Sequence, residues 1–251
     1  MIHNQDCLEW MKTQPSEQFQ TIVTSPPYNL RGFRGDPKNP SGFWANSIID
    51  YGAHDDNMSE DDYQQWQVDI INECLRLLKP GGSFFYQHKV RKWNKCSSHP
   101  MEWILKSKAI LYQEIIWNRK STIAKDPNYL MSINESIYWL VKDEPRVFRK
   151  QIPNEYRTTI WTITPDTKNP HPAPYPSLLP ELCIKLTSQT GDRIYDPFAG
   201  SGTTLYAGLK SDRSVVGTEL NKDFVEMAKD RLDNLEKNLT IHNQLFEYAT
   251  E

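Results

Sequence analysis

No stretch of this chain approaches the roughly 18 consecutive apolar residues that a membrane-crossing helix needs. Its start, MIHNQDCLEW, lacks both the basic opening and the apolar run of a secretion signal, so a cytoplasmic protein without a membrane partner is expected. The four cysteines, Cys7, Cys74, Cys96 and Cys183, are scattered with no C-x-x-C pair, which argues against a disulfide framework and a zinc knuckle. Cys96 and His99 would supply only half the ligand set of a zinc ion, and no metal is expected. An excess of positive charge is also missing. With 32 acidic residues against 29 basic ones, a uniformly basic nucleic-acid coat is excluded, whereas a local basic strip is not. No internal repeat is present.

What the chain does have is material for a core. Its 251 residues are 38% hydrophobic and 12% aromatic, with eight Trp, a composition that argues against disorder and fits one domain. Gln20 to Thr24 (QTIVT) reads as a strand ending on Ser-Pro-Pro. Asn29 to Asn57 is a Gly-, Pro-, Asn- and Asp-rich loop, longer than a passive connection, with Phe33, Phe43, Trp44 and Tyr51 in it. Ser59 and Asp62 have the form of a capping box for a helix carrying Tyr63, Trp66, Ile70, Ile71, Cys74, Leu75, Leu77 and Leu78, which Lys79-Pro80-Gly81-Gly82 stops. SFFYQ (Ser83 to Gln87) follows as a buried strand, and EIIWN (Glu114 to Asn118) and SIYWLV (Ser136 to Val141) predict two more. After a proline-rich segment come a helix (Ser177 to Ser188), a strand (Arg193 to Asp196), a helix (Thr203 to Lys210), a strand (Ser214 to Glu219) and an amphipathic helix (Asn221 to Leu239). This alternation predicts an α/β fold: one doubly wound, mostly parallel sheet flanked by helices.

Two segments carry chemistry. The first, Asp196-Pro197-Phe198-Ala199-Gly200-Ser201-Gly202-Thr203-Thr204, lies between a strand and a helix. Gly200 and Gly202 let a ligand approach backbone, and the helix start offers unpaired N–H groups to an anion. Seventeen residues after Gly202 a strand delivers Glu219, placed for a bidentate grip on two ribose hydroxyls. A tight turn with a surface acid is the plain alternative, but the combination points to an adenosine-containing ligand. A dinucleotide fingerprint wants a third small residue where Thr204 and Leu205 stand. An acid at the strand end suits the α-ammonium of a methionine moiety, and the turn amides suit its carboxylate, so S-adenosylmethionine is preferred over NAD.

The second segment is Thr24-Ser25-Pro26-Pro27-Tyr28, again at a strand end. Two successive prolines fix two φ angles and leave the Pro26 carbonyl rigid. An exocyclic amine on a nucleobase is a poor nucleophile because its lone pair is delocalised into the ring. The Ser25 hydroxyl and the Pro26 carbonyl can accept its two N–H groups and favour the tetrahedral form, freeing the lone pair for a methyl sulfonium. Tyr28 would stack on a base swung out of its duplex. Alone, the Ser25-Pro26-Pro27-Tyr28 tetrad is more often a plain polyproline turn; sharing a chain with an adenosine site gives it a purpose.

TSPPY followed by DPFAGSGTT resembles the amino-group DNA methyltransferases in their permuted β order, in which the catalytic half precedes the cofactor half. Asp6-Cys7-Leu8, LKPGG at Leu78 to Gly82, EIIWN, and His171-Pro172-Ala173-Pro174-Tyr175-Pro176 extend the match over most of the chain. The resemblance implies a single methyltransferase domain over 1–251, with a catalytic half at 1–118, a small target-recognition region at 119–169 and a cofactor half at 170–240. It implies that Ser25, Pro26, Pro27 and Tyr28 are catalytic or hold the base, that Asp196, Phe198, Gly200, Gly202 and Thr203 line S-adenosylmethionine, and that Glu219 holds its ribose. Asp6 and Cys7 would lie beside the adenine ring and His171 would close over the methionine end. Gln5 stands where relatives often have Gly, which weakens the part assigned to Asp6. Ser25 stands where adenine-directed relatives usually have Asp or Asn, and Ala173, Pro174 and Tyr175 stand where they have Thr-Gln-Lys. Both differences resemble the cytosine-N4 subgroup, and adenine N6 is the alternative target.

A cytosine-C5 enzyme would need a nucleophilic Cys, commonly after Pro, and there is no Pro-Cys dipeptide. For DNA contacts the candidates are Arg31 and Arg34 after the catalytic loop, Lys89, Arg91 and Lys92 after a strand end, and Arg119. A cognate restriction endonuclease and a second copy of the chain are further partners such a resemblance allows. A catalytically silent nucleic-acid-binding protein would show a broken Pro-Pro-Tyr or Gly-x-Gly, and both are intact.

Overall fold

SIYWLV is apolar nearly throughout and FQTIVT is β-branched at four of its six positions, as strands are when both faces of their sheet are covered, and the structure buries every residue of FQTIVT. The computed structural model describes residues 1–29, 57–93, 96–120, 130, 132–166 and 175–250, without the side chains of 92–93 and 238–250. Its first elements are β1 (Ile2–Asn4), α1 (Cys7–Thr13), β2 (Phe19–Thr24), α2 (Glu60–Leu77) and β3 (Leu78–His88). A hairpin of β4 (Arg91–Trp93) and β5 (Cys96–Ser98), the short α3 (Met101–Ile104), β6 (Ile110–Asn118), β7 (Asn134–Val141) and β8 (Ile160–Thr162) follow. The chain ends with α4 (Leu178–Thr187), β9 (Arg193–Asp196), α5 (Thr203–Lys210), β10 (Ser214–Glu219) and α6 (Lys222–Thr250).

Eight strands form one sheet in the order β1-β10-β9-β2-β3-β7-β6-β8. The five from β1 to β3 in that order run parallel, β7 is antiparallel to both its neighbours, and β8 is parallel to β6. The expected α/β class and mostly parallel sheet are therefore what the chain adopts. Side chains on successive strand residues point to opposite faces, which splits the apolar residues into two layers. Ile22, Phe84, Tyr86, Tyr138, Leu140, Tyr195 and Val216 pack with α1, α2 and α3. Their neighbours Val23, Phe85, Trp139, Val141, Ile194 and Val215 pack with α4, α5 and α6. Each fully buried side chain such as Ile22 or Phe84 stabilises the fold by about 1.5–3 kcal/mol.

The local signals that placed the helices act as expected. Ser59 Oγ accepts from the Asp62 backbone N–H at 3.2 Å and lies 2.6 Å from Asp62 Oδ2, capping α2, whose first turn is acidic in keeping with the helix dipole. The LKPGG segment does end α2, but it is already strand. Gly81 takes φ +71°, its N–H donates to Asp143 Oδ1 at 2.8 Å, and the β2–β3 register shifts between Phe19 and Thr21, so Pro80 is accommodated at an irregularity. Helix α5 rests directly on β10 because Gly208 has no Cβ to collide with Val215. Within 119–169, β7 and β8 belong to the sheet, leaving little chain for a separate module. Among the described residues no helix is long and apolar enough to cross a membrane.

Candidate active site

Strands β2 and β9 are neighbours running the same way, so Ser25-Pro26-Pro27-Tyr28 and Asp196-Pro197-Phe198 leave the sheet side by side. The crossover after β2 packs on one face and that after β9 on the other, and such a reversal opens the crevice where open α/β sheets bind ligands. Thr24 Oγ1 donates to Asp196 Oδ1 at 2.6 Å, joining groups 172 residues apart in sequence. Asp196 is 1% exposed and also accepts from the Phe198 N–H at 3.0 Å and the Tyr175 hydroxyl at 3.4 Å. Burial pushes its carboxyl above the usual range, with the hydrogen bonds from Thr204, Thr24, Phe198 and Tyr175 opposing the shift. Tyr175, which also meets the Thr204 hydroxyl, ties the end of the His-Pro-rich segment to this joint.

The catalytic candidates form a hydroxyl chain. Ser25 Oγ and Tyr28 Oη are 2.9 Å apart, and Tyr28 Oη donates to Glu135 Oε2 at 3.3 Å. The Tyr28 ring packs 4.3 Å from the His88 ring, with Lys89 Nζ 5.4 Å from its centroid. From α2, Tyr63 Oη donates to the Pro27 carbonyl at 2.8 Å, fixing the loop one residue beyond the carbonyl expected to hold an amine. The same hydroxyl lies 2.8 Å from His88 Nε2. Burial, followed by the charges of Arg91 and Lys89, holds His88 well below its usual pKa, so the ring is neutral. Its Nδ1 faces the Lys89 carbonyl at 2.7 Å, which only accepts, so Nδ1 carries the proton and Nε2 is an acceptor. The single Tyr63 hydrogen is thus shared between Nε2 and the Pro27 carbonyl.

At the other loop Gly200 and Gly202 take φ +49° and +76°, values favoured by glycine. Gly202 starts α5 with no side-chain cap, so the first-turn N–H groups of that helix are offered to an anion. Glu219, at the end of β10, accepts from the Gly200 N–H at 2.9 Å through Oε2 and from the Asn221 N–H at 2.8 Å through Oε1. Burial raises its carboxyl above the usual range. Each oxygen keeps a second lone pair, which is what two ribose hydroxyls require. β1 pairs with β10 so that Asn4 opposes Glu219, and the next residues, Asp6 and Cys7, open α1 at that edge, with Asp6 accepting the Glu9 N–H and Cys7 buried. Phe198 packs edge-on to Trp66 of α2 at 5.6 Å, giving this rim an aromatic ledge. Thr203 Oγ1 accepts from Arg231 of α6 at 3.0 Å. An uncapped helix start, a two-oxygen acceptor and an aromatic wall fit the carboxylate, ribose and adenine of S-adenosylmethionine.

The structure brings together Ser25, Tyr28, Asp196, Phe198, Gly200, Gly202, Thr203 and Glu219, with Asp6 and Cys7 beside them. Asp196 also joins the two loops, its oxygens accepting from Thr24, Phe198 and Tyr175. Arg91 requires a correction. It is 4% exposed, bonded to Glu60 at 2.7 Å, and its guanidinium sits 4.5 Å from the Tyr63 ring centroid, so it anchors the β4–β5 hairpin to α2 and is not offered to phosphate. Arg119 pairs with Glu135 at 3.0 Å while remaining partly exposed. Arg31, Arg34, His171 and the aromatics of the 30–56 loop lie outside the described residues, as does the Lys92 side chain. No site role follows from the sequence for Glu135, Gln87, Tyr63 or His88, and Tyr175 enters the site there only as part of the His171 segment. A carboxylate opening an otherwise apolar strand was the one available signal for Glu135. A cleft of about 420 Å³ lined by Lys150, Asn154, Arg157, Leu178 and Lys185 shares no residue with this site.

A family model described as DNA methylase, covering N6 and N4 enzymes, matches residues 19–230, more than half of the chain. The type II methyltransferase M.HpaI of Haemophilus parainfluenzae is 25% identical over 249 residues, covering 91% of this chain and 73% of the relative. The DNA adenine methyltransferase YhdJ of Escherichia coli (strain K12) is 27% identical over 267 residues, covering 93% of this chain and 82% of the relative. Among solved structures, the PvuII DNA methyltransferase (cytosine-N4-specific) superposes with a TM-score of 0.74 at 20% identity, covering 98% of this chain and 92% of that one. That likeness is one of fold.

Proposed function

The chain belongs to the N6/N4 DNA methylase family, and from that premise we propose that it transfers the methyl group of S-adenosylmethionine directly to the N4 amine of a cytosine flipped out of DNA. The observation that carries this reading is the Thr24–Asp196 hydrogen bond, which sets the base-holding tetrad beside the cofactor cradle. S-adenosylmethionine, when bound, supplies an electrophilic sulfonium methyl. The N–H groups at the start of α5 hold its carboxylate, Glu219 its ribose hydroxyls, and Phe198 with the Asp6–Cys7 edge its adenine. Ser25 Oγ and the Pro26 carbonyl accept the two amine N–H groups, drawing the nitrogen toward tetrahedral geometry, and once the nitrogen carries the methyl group one of these two protons is given up to solvent. Tyr28, fixed by His88 and Lys89, stacks on the base. Because base and donor are held in one crevice, orientation supplies most of the acceleration. Lys89 and Arg119 border the crevice and serve DNA phosphates nearby. Serine rather than an acid before Pro-Pro-Tyr favours cytosine.

Mass spectrometry of nucleosides from DNA treated with this protein, beside a Ser25→Ala control, tests the reading. N4-methylcytosine that disappears in the control is the expected result. N6-methyladenine would transfer the same machinery to the other amine, a reading that the likeness to YhdJ keeps in play. Neither mark, with S-adenosylhomocysteine still bound, would overturn both.

A further inference from the structure

We propose that Glu135 is a positioning residue for the amine, setting the direction of the hydrogen bonds along Tyr28 and Ser25; this rests on the amino-methyltransferase reading. Glu135 stands at the start of β7, 8% exposed, beside the basic side chain of Arg119. Its Oε1 accepts from Arg119 Nη1 at 3.0 Å, and its Oε2 accepts from Gln87 Nε2 at 2.8 Å and Tyr28 Oη at 3.3 Å. An anionic carboxylate in a salt bridge accepts only, so the hydrogen of the Tyr28 hydroxyl points to Glu135. A hydroxyl has one hydrogen. Tyr28 Oη must therefore receive, and not give, in its 2.9 Å contact with Ser25 Oγ. The Ser25 hydrogen is in turn committed to Tyr28, and the lone pairs of Ser25 are what remains to face the crevice.

That polarity matters because an exocyclic amine presents two N–H donors. A serine whose own hydrogen pointed at the amine would repel it, and a free hydroxyl rotor chooses between the two orientations each time a base enters. Glu135 removes the choice from a position that need not touch the base. Replacement by Gln reverses the logic: the amide N–H can give to Tyr28 Oη, which then gives to Ser25, and Ser25 meets the amine with a hydrogen.

Single-turnover methyl transfer by the full chain on a DNA substrate, with equilibrium binding of S-adenosylhomocysteine and of DNA, tests this. Glu135→Gln is expected to lower the transfer rate roughly 100-fold, comparable to the loss of one fixed polar group in a catalytic site, while both affinities stay within about threefold. Tyr28→Phe breaks the same chain at its middle, so adding Glu135→Gln to it should cost less than about threefold more. An unchanged rate in Glu135→Gln would overturn the proposal. So would losses that multiply in the double variant, or a Glu135→Gln protein that no longer binds cofactor, since each assigns Glu135 to another task. Failure of the methylation reading itself is separately visible as the absence of any methylated nucleoside with the unaltered protein.

Discussion

Replacing Thr24 by Val removes one hydroxyl and keeps the shape of the side chain, which isolates the bond between the two halves of the site. Thr24 and Asp196 are each 1% exposed, so water cannot replace the lost donor unless β2 or β9 moves. A hydrogen bond to a charged group contributes about 1.5–3 kcal/mol. The Phe198 N–H still serves Oδ1 and the Tyr175 hydroxyl still reaches Oδ2, so the carboxylate is not stripped and a loss of about 2 kcal/mol is expected. For a chain of this length that corresponds to a fall in Tm of roughly 4–8 °C. The pH dependence supplies a sharper test. Asp196 already has its carboxyl raised by burial, and losing the Thr24 hydroxyl raises it further. Protonation of the folded state then relieves the unpaired anion, so the deficit is full at neutral pH and narrows as the pH falls through the raised Asp196 range. Urea unfolding of both proteins from neutral to mildly acidic pH measures it. A deficit below about 0.5 kcal/mol throughout, the level of an ordinary surface change, or one of equal size at both ends of the range, would refute the reasoning.

Gly202→Ala places a Cβ 3.0 Å from the Ala228 Cβ at φ +76°, and urea unfolding should show a loss of about 1–2 kcal/mol even without ligand. The neutral, buried His88 titrates below its unfolded value, so the unfolded chain takes up the proton first. The His88 contribution should be full above about pH 6.5 and fall below it with a slope of up to about 1.4 kcal/mol per pH unit, so the slope should be shallower in His88→Gln. Glu219→Gln keeps the shape of the side chain but halves its acceptors, and calorimetry should show S-adenosylhomocysteine affinity reduced about 10- to 100-fold.

The strands and helices with strong periodicity were legible in the sequence. α5, β9 and β10 fall on the residues that periodicity and turn chemistry assign, β2 is one residue longer at its start, and α4 is one residue shorter at each end. The weakly patterned elements were not. β1 has only Ile2 buried in three residues, α1 is seven residues long, and the first half of β6 exposes Ile110 and Tyr112, so no alternation marks it. The motif residues of both loops were legible because their chemistry is local: glycine at positive φ, proline after a strand, an acid at a strand end. Basicity alone misplaced Arg91, since a local count of Lys and Arg cannot distinguish a rim charge from one whose partner, Glu60, lies 31 residues away.

The positioning shell around the tetrad was hidden for a topological reason. In a parallel sheet the crevice lies at the carboxyl ends of the strands, and Thr24, His88, Asp196 and Glu219 all stand there. β7 runs the other way, with His88 opposite Ser136, so its amino end lies at the same rim. An acid at the start of β7 therefore reaches a site built from strand ends, and the polar stretch before SIYWLV, which reads as a connection, contributes Glu135 to it. Reversal of one strand is not visible in the apolar pattern, because buried parallel and antiparallel strands carry the same residues. Pairing partners decide it, and those become known only when Phe84 to His88 is seen against Ser136 to Leu140. Chain order is equally uninformative about the joint itself: Thr24 and Asp196 meet because β2 lies next to β9, and that adjacency would hold for any order in which the same strands were connected.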